Sequence, residues 1–181
     1  MVFCEWFCDI INKMKDSKII IIGDAGRGKT TFAEKLSEKL GIPKYSTDDF
    51  FWEIKFSNPR GSEKDVEMAK EVFKKYEWII EGGTRRMLKI GMPKADRIFY
   101  LTYKNIFHQI WVLYRRNRSR NHENLKNLFD LIVYQIKKKY KFGVNKKLES
   151  FEDILAPYEN KVIRMTSFEE IDAYLKNVTL D

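Results

Sequence analysis

A parallel sheet held between two layers of helices is the fold this chain predicts, on three observations. Short apolar runs rich in β-branched residues alternate with amphipathic stretches along the sequence, the pattern of strands joined by helical crossovers. The first run, Ile19 to Ile22, is an unbroken row of isoleucines, which suits a strand buried on both faces. It leads directly into Gly23-Asp24-Ala25-Gly26-Arg27-Gly28-Lys29-Thr30-Thr31, which has the Gly-x-x-x-x-Gly-Lys-Thr spacing of a P-loop between a strand and a helix. Together they predict an α/β protein, a P-loop NTPase three-layer α/β/α sandwich.

The loop's chemistry follows from its residues. Gly23, Gly26 and Gly28 let the backbone pass through positive φ and come close to an anion, so that successive N–H groups turn inward. The helix that follows adds its positive end. Lys29 reaches the β- and γ-phosphates as a point charge, the Thr30 hydroxyl is placed to ligate Mg²⁺, and Thr31 is an α-phosphate donor. The candidate nucleotide-binding set is therefore Gly23, Asp24, Ala25, Gly26, Arg27, Gly28, Lys29, Thr30 and Thr31.

Thr30 to Leu40 reads as a helix with Phe32, Ala33, Leu36 and Leu40 inward, stopped by Gly41 and Pro43. A brief second strand, Lys44 to Thr47, leads into Asp48-Asp49-Phe50-Phe51-Trp52 and places two carboxylates at its carboxyl end. Residues 53–76 are polar, with a turn at Asn58-Pro59-Arg60-Gly61 and Ser62 capping a helix up to Tyr76. Trp78 to Glu81 is the third strand and runs into Gly82-Gly83-Thr84-Arg85-Arg86. Arg97 to Thr102 is the fourth, followed by a basic helical stretch from Asn105 to Arg120 and a second helix, Leu125 to Lys141. Lys161 to Met165 is the fifth strand, and Ser167 caps a last helix, Phe168 to Leu175. Ligands of parallel sheets bind at the carboxyl ends of the strands. The P-loop, Asp48, Asp49, Gly82-Gly83 and the turn after Met165 thus share one edge.

A chain of 181 residues suits one well-cored domain, residues 18–181, behind an N-terminal segment, residues 1–17. In that segment Val2, Phe3, Trp6, Phe7, Ile10, Ile11 and Met14 recur at helical spacing. They predict an amphipathic helix against the domain or a partner subunit, a membrane-surface anchor being the weaker version. Glu5 and Asp9 interrupt the segment and no basic residues precede it, which argues against a secretory leader. Cys4 and Cys8 are far from His108 and His122 and build neither a disulfide framework nor a four-ligand metal site. The reading is of a cytoplasmic protein without a membrane span, monomer or homodimer. A net charge of +8 suits a polyanionic ligand, nucleotide or nucleic acid, without choosing between them.

Phosphoryl transfer asks for phosphate positioning, a metal, and cations over the transferring group. Asp48 is the candidate to hold Mg²⁺ through water or to accept a proton from an attacking hydroxyl, with Asp49 less favoured; capping the next helix is the plainer role for either. Arg115, Arg116, Arg118 and Arg120 crowd into two helical turns, repel one another without an anion, and suit clamping a triphosphate. A solvated basic face or a nucleic-acid patch is the alternative. Arg85 and Arg86 are candidates for an acceptor's anionic group, beside Gly82 and Gly83, and Arg60 is a weaker one. Phe51 and Trp52, with Phe50, offer a stacking wall or plain core. The lysines at 137, 138, 139, 141, 146 and 147 read as a solvated face. The catalytic set is Lys29, Asp48, Arg116 and Arg120, with Arg115 at the nucleotide and Thr30 and Asp48 at the metal.

These residues resemble the adenylate-kinase-like P-loop kinases, most closely the branch of DNA topology modulation (FlaR-like) proteins, from about Lys18 to Leu175. The likeness rests on the P-loop, on Ser46-Thr47-Asp48-Asp49-Phe50-Phe51-Trp52, on Trp78-Ile79-Ile80-Glu81-Gly82-Gly83, on Ala95-Asp96-Arg97-Ile98-Phe99, on the Arg115 to Arg120 cluster and on Val162-Ile163-Arg164-Met165. It implies a five-stranded parallel sheet of order 2-3-1-4-5, an acceptor-binding insert at about 50–76 and a basic helical lid at about 114–147. It also implies ATP and Mg²⁺ as cofactors, a small-molecule or nucleotide acceptor, and lid arginines closing over the transfer. Related sequences commonly end strand four in an aspartate, whereas Thr102 stands there in this chain. That shifts the weight to Asp48.

Overall fold

The computed structural model describes residues 17–54, 58–59, 61–119, 125–139 and 149–178. The N-terminal helix expected over 1–17, with Cys4 and Cys8, lies outside them but for Ser17, as do Arg60, Arg120 and His122. The strands are β1 (Lys18–Gly23), β2 (Lys44–Ser46), β3 (Trp52–Ile54), β4 (Asn58–Pro59), β5 (Trp78–Glu81), β6 (Arg97–Leu101) and β7 (Val162–Met165). The α-helices are α1 (Lys29–Leu40), α2 (Thr47–Phe51), α3 (Ser62–Val72), α4 (Arg85–Gly91), α5 (Ile106–Ser119), α6 (Leu125–Lys139), α7 (Phe151–Leu155) and α8 (Phe168–Asn177).

The main sheet has the order β2-β5-β1-β6-β7, and every pairing in it is parallel. With β3 and β4 set aside as a separate antiparallel pair, this is the order 2-3-1-4-5. The hairpin is a departure from the sequence reading: Asn58–Pro59 pairs back on Trp52–Ile54 where a turn was expected.

Central β1 explains the run of isoleucines. Ile19 and Ile21 pack into one core with Phe32, Ala33 and Leu36 of α1 and Ile171 and Leu175 of α8. Ile20 and Ile22 pack into the other, with Ala69 and Val72 of α3, Met87 and Leu88 of α4, and Ile154 and Leu155 of α7. Neighbouring side chains of a strand point to opposite faces, so only a row without polar residues serves both layers. Each fully buried isoleucine contributes about 1.5–3 kcal/mol relative to exposure. The strand is anchored at its start by Asp96, whose carboxylate accepts from the backbone N–H groups of Ser17 (3.1 Å) and Lys18 (2.9 Å).

Several boundaries differ from the sequence reading for local reasons. Asp48 and Asp49 sit in a short helix, α2, because the Ser46 hydroxyl caps it by accepting from the Asp48 N–H at 3.3 Å. Gly61 holds the N-cap position of α3, with Ser62 as its first residue, and α3 ends at Val72. Helices α4 and α7 were not foreseen; α7 is held by a capping box between Ser150 and Asp153. Ser167 caps α8 as expected, accepting from Glu170 N–H at 3.1 Å. Among the described residues no helix is long and apolar enough to cross a membrane.

Candidate active site

Between β1 and α1 the glycine loop takes the shape its sequence requires. Gly23, Gly26 and Gly28 have φ of +143°, +80° and +81°. A Cβ on Gly23 would fall on the carbonyl of Leu101, because Asp24 N–H donates to that same oxygen at 2.8 Å and draws the two strands' ends together. A Cβ on Gly26 would stand 3.0 Å from Leu113 of α5. Lys29 folds over the loop and donates from Nζ to the carbonyls of Asp24 (2.9 Å) and Gly23 (3.2 Å).

The loop is braced by side chains that do not face the cavity. The Asp24 carboxylate accepts from the Thr102 hydroxyl at 2.9 Å and from Tyr103 N–H at 3.2 Å. Thr102 therefore ties the end of β6 to the P-loop, and the carboxylate on that side belongs to Asp24. Burial, and then the carboxylates of Asp24 and Glu152, push the neighbouring Tyr100 phenol up to about 12, so it stays neutral. Arg27 differs from expectation most. Its side chain is fully buried, with the guanidinium carbon 4.7 Å from the Tyr103 ring centre and 4.5 Å from that of Phe168. None of its side-chain nitrogens has a hydrogen-bond partner. It is absent from the lining of the cavity described below.

On the other side of β1, β5 brings a residue the sequence reading passed over. Glu81 is 6% exposed, and its Oε1 lies 3.3 Å from the Thr30 hydroxyl that donates to it. A carboxylate ending the otherwise apolar strand Trp78-Ile79-Ile80-Glu81 was the available signal, since an acid is rarely buried without a task. Gly82 follows with φ +142°, and a Cβ there would fall on the Thr47 hydroxyl of α2.

These parts enclose one cavity of about 740 Å³. Its floor is Gly23, Ala25, Gly26, Lys29 and Thr30; one wall is Asp48, Glu81, Gly82, Gly83 and Arg85. Its roof is Leu113 of α5 with Leu128, Leu131, Tyr134 and Gln135 of α6, and Phe151 closes one side. Lys29, Asp48, Thr30, Gly82, Gly83 and Arg85 are thus brought together as the sequence reading grouped them. Gln109 ties roof to floor, donating to the Ala25 carbonyl at 3.4 Å and to Gln135 Oε1 at 3.3 Å.

Other candidates lie elsewhere. Arg86 is paired with Asp65, a fully buried carboxylate of α3, and its guanidinium carbon stands 5.2 Å from the Phe51 ring centre. A buried acid needs that partner, and so Arg86 does not line the cavity where an acceptor contact was expected of it. Phe51 and Trp52 meet edge to face, 4.7 Å between ring centres, outside the cavity lining. Arg115 lies 5.4 Å from the ring centre of exposed Trp111, and Arg118 is exposed. The side chain of Arg116 lies outside the described residues.

The residues present fit a magnesium nucleotide. Mg²⁺ takes few protein ligands, keeps several waters and draws oxygens from phosphates and one or two carboxylates. Thr30, Glu81 and Asp48 offer that donor set around the phosphate cradle, and no cluster of three or more histidine, cysteine or carboxylate residues competes among the described residues.

No family model matches this chain. The adenylate kinase of Mycolicibacterium smegmatis is 59% identical over 34 residues, 19% of this chain and 19% of that protein. The adenylate kinase of Pseudarthrobacter chlorophenolicus is 32% identical over 81 residues, 44% of this chain and 40% of that protein. The chain thus spans well under half the length of these curated relatives. Among solved structures, a gluconokinase from Sinorhizobium meliloti has a TM-score of 0.54 at 12% identity, covering 90% of this chain and 89% of that one. A shikimate kinase from Bacteroides thetaiotaomicron has a TM-score of 0.53 at 17% identity, covering 87% of this chain and 93% of that one. At such identities the likeness is one of fold: this chain has the fold of the P-loop kinases.

Proposed function

We propose that the protein is an ATP-dependent phosphotransferase, moving the γ-phosphate of ATP to a nucleotide or other small-molecule acceptor. One observation carries the reading: the phosphate cradle and a second wall with carboxylates, a diglycine and an arginine share a single cavity. An ATPase would need only the cradle. The short likenesses to adenylate kinases support a nucleotide as donor. The finer resemblance to DNA topology modulation proteins rests on the aspartate-aromatic stretch and the Trp-Ile-Ile strand alone.

In this mechanism the loop N–H groups and Lys29 hold the β- and γ-phosphates, and Lys29 exchanges its two carbonyl partners for phosphate oxygens. Thr30, with Glu81 and Asp48, would hold Mg²⁺, which supplies charge neutralisation on the transferring group. The acceptor oxygen bonds to the γ-phosphorus as the bond to the β–γ bridging oxygen breaks, leaving ADP. Asp48 takes the proton of a hydroxyl acceptor and returns it to solvent. Arg85 holds the acceptor's anionic group, and α6 excludes water above it.

The test is a panel of nucleoside monophosphates and small hydroxyl metabolites with ATP, scored for ADP that depends on the acceptor. Lys29→Ala is expected to abolish transfer with the fold intact by circular dichroism; a rate near wild type overturns the mechanism. ADP formed equally without acceptor makes the protein an ATPase.

A second reading, nucleic-acid binding with nucleotide as a switch, draws on the outer face of α5. Phe107, Trp111 and Tyr114 are exposed there beside Arg115 and Arg118, on a helix without a carboxylate. Aromatic and arginine groups so placed suit stacked bases. Affinity that falls steeply between low and moderate salt supports it, and affinity flat in salt overturns it.

A further inference from the structure

We infer that the outer face of α5 is a dimer surface, covered by the apolar segment that precedes β1 in a second copy of this chain. The exchange is reciprocal, each copy lending its residues 2–14 to the other.

Helix α5 has two unlike faces. Ile106, Gln109, Leu113 and Asn117 are buried, whereas Phe107, Trp111, Tyr114 and Arg118, three to four positions apart, are exposed. Arg115 joins that outer stripe, its guanidinium carbon 5.4 Å from the Trp111 ring centre. Three large rings in one exposed row, on a helix with arginines and no carboxylate, are more apolar surface than a solvated face carries, and they mark a place where something docks. The chain itself holds a complementary piece. In the segment before β1, Phe3, Trp6, Phe7, Ile10, Ile11 and Met14 recur at helical spacing and need a cover. Glu5 and Asp9, four positions apart, stand next to that row. Acids beside apolar side chains on the segment match arginines beside aromatic rings on α5, and opposite charges at the rim of an interface fix partner and register.

Reach assigns the segment to a second copy. Ser17 is held at the amino end of the sheet, its N–H donating to the Asp96 carboxylate at 3.1 Å. Helix α5 lies at the carboxyl end, where Gln109 donates to the Ala25 carbonyl at 3.4 Å and Leu113 stands beside Gly26. The six residues of β1 set these two ends about 20 Å apart. Lys15 and Asp16, the link between the apolar row and Ser17, span about 7 Å. A helix laid along α5 of its own chain would outrun that link, whereas a neighbour related by a two-fold axis supplies it from its own Ser17. The area suffices as well. Large aromatic rings bury about 150–250 Å² each, and two exchanged segments, with the rings they cover, reach the about 1,200–2,000 Å² of a stable interface.

The test measures the mass of the full chain in solution by light scattering, against 21.7 kDa for one copy. The expected mass is twice that. Trp111→Asp and Phe7→Asp are each expected to halve it, with a cooperative melting transition showing that the monomers are folded. Charge reversal gives a second measurement that leaves the apolar side chains in place. Arg115→Glu with Arg118→Glu in one variant, and Glu5→Lys with Asp9→Lys in another, are each expected to weaken the dimer about tenfold or more. Their equimolar mixture is expected to restore it, which only pairing between copies allows. A full chain that weighs one copy overturns the inference, as does a dimer unmoved by Trp111→Asp or a mixture no tighter than its components. Stacked bases would compete for the same stripe: a monomer that gains mass with a single-stranded oligonucleotide, and not with its own concentration, overturns the inference and gives the face to nucleic acid.

Discussion

Gly23 and Gly82 stand at the carboxyl ends of adjacent strands, β1 and β5, with φ of +143° and +142°. The space of the missing Cβ is filled differently in the two: by the backbone carbonyl of Leu101 beside Gly23, by the side chain of Thr47 beside Gly82. The same division runs through the cavity. Its P-loop side is shaped by backbone, with glycine angles, the Asp24-to-Leu101 hydrogen bond and Lys29 on two carbonyls. Its β5 side is shaped by side chains from distant parts of the chain, Glu81 with Thr30 and Arg85 with Phe151, while Arg86, outside the lining, pairs with Asp65. A backbone-built half tolerates little change, whereas a side-chain-built half can be retuned to another ligand.

The two glycines separate these halves most directly. Gly23→Ala is expected to cost about 4 kcal/mol or more, since a backbone carbonyl held in a parallel ladder cannot move aside. Gly82→Ala is expected to be rescued in part by Thr47→Ala, with a coupling of about 1–2 kcal/mol in a double-mutant cycle by urea denaturation. No coupling would mean that the two halves are equally rigid. Next comes Glu81→Gln, expected to lower kcat and the apparent Mg²⁺ affinity by about 10–100-fold with the melting temperature preserved; an unchanged magnesium titration removes Glu81 from the site.

Adjacent Arg85 and Arg86 differ in the same way, one lining the cavity and the other paired outside it. Arg86→Met is expected to cost about 2 kcal/mol in urea by leaving the buried Asp65 carboxylate without its cation, Arg86 itself being partly exposed. Arg85→Met is expected to spare stability and raise the acceptor KM. Reversed effects would reassign the two.

The smallest effect lies at the sheet edge, where Arg164 donates to Glu159 at 2.7 Å and to Glu152 at 2.8 Å. The Arg164 hydrogen bond holds the Glu159 carboxyl below its ordinary value. A lowered carboxyl stabilises the fold above the ordinary carboxylate range, and that contribution is lost as pH falls through the folded value. Arg164→Met is expected to flatten the acid limb of the melting-temperature profile slightly and leave the neutral plateau almost unchanged. A large drop at neutral pH would show that β7 depends on the pair.

This division also explains what was legible in the sequence. The P-loop is a local pattern, and its glycines, lysine and threonine lie where the spacing put them; the strand order followed from the family likeness. Asp48 could be grouped with the site although its strand end proved to be a capped helix. Arg85 and Arg86 look alike in sequence, and only Asp65, 21 positions from Arg86, tells them apart. Glu81 was visible as an acid closing an apolar strand, but its partner Thr30 lies 51 positions away. Phe51 and Trp52, expected as a stacking wall or as plain core, meet edge to face outside the cavity lining, with Phe51 packed against the core.

Arg27 sets a standing positive potential beneath the P-loop. Its guanidinium is sealed between Tyr103 and Phe168, where dissolved ions cannot approach it. Exposed charges are largely screened beyond about 8 Å at physiological ionic strength, buried ones much less. The arginines of α5 therefore weaken in their pull on an anion as salt rises, while Arg27 acts on the loop beside it with little screening. The rate at which an anion reaches this loop should still fall with ionic strength, whereas the hold on an anion once seated there should fall less.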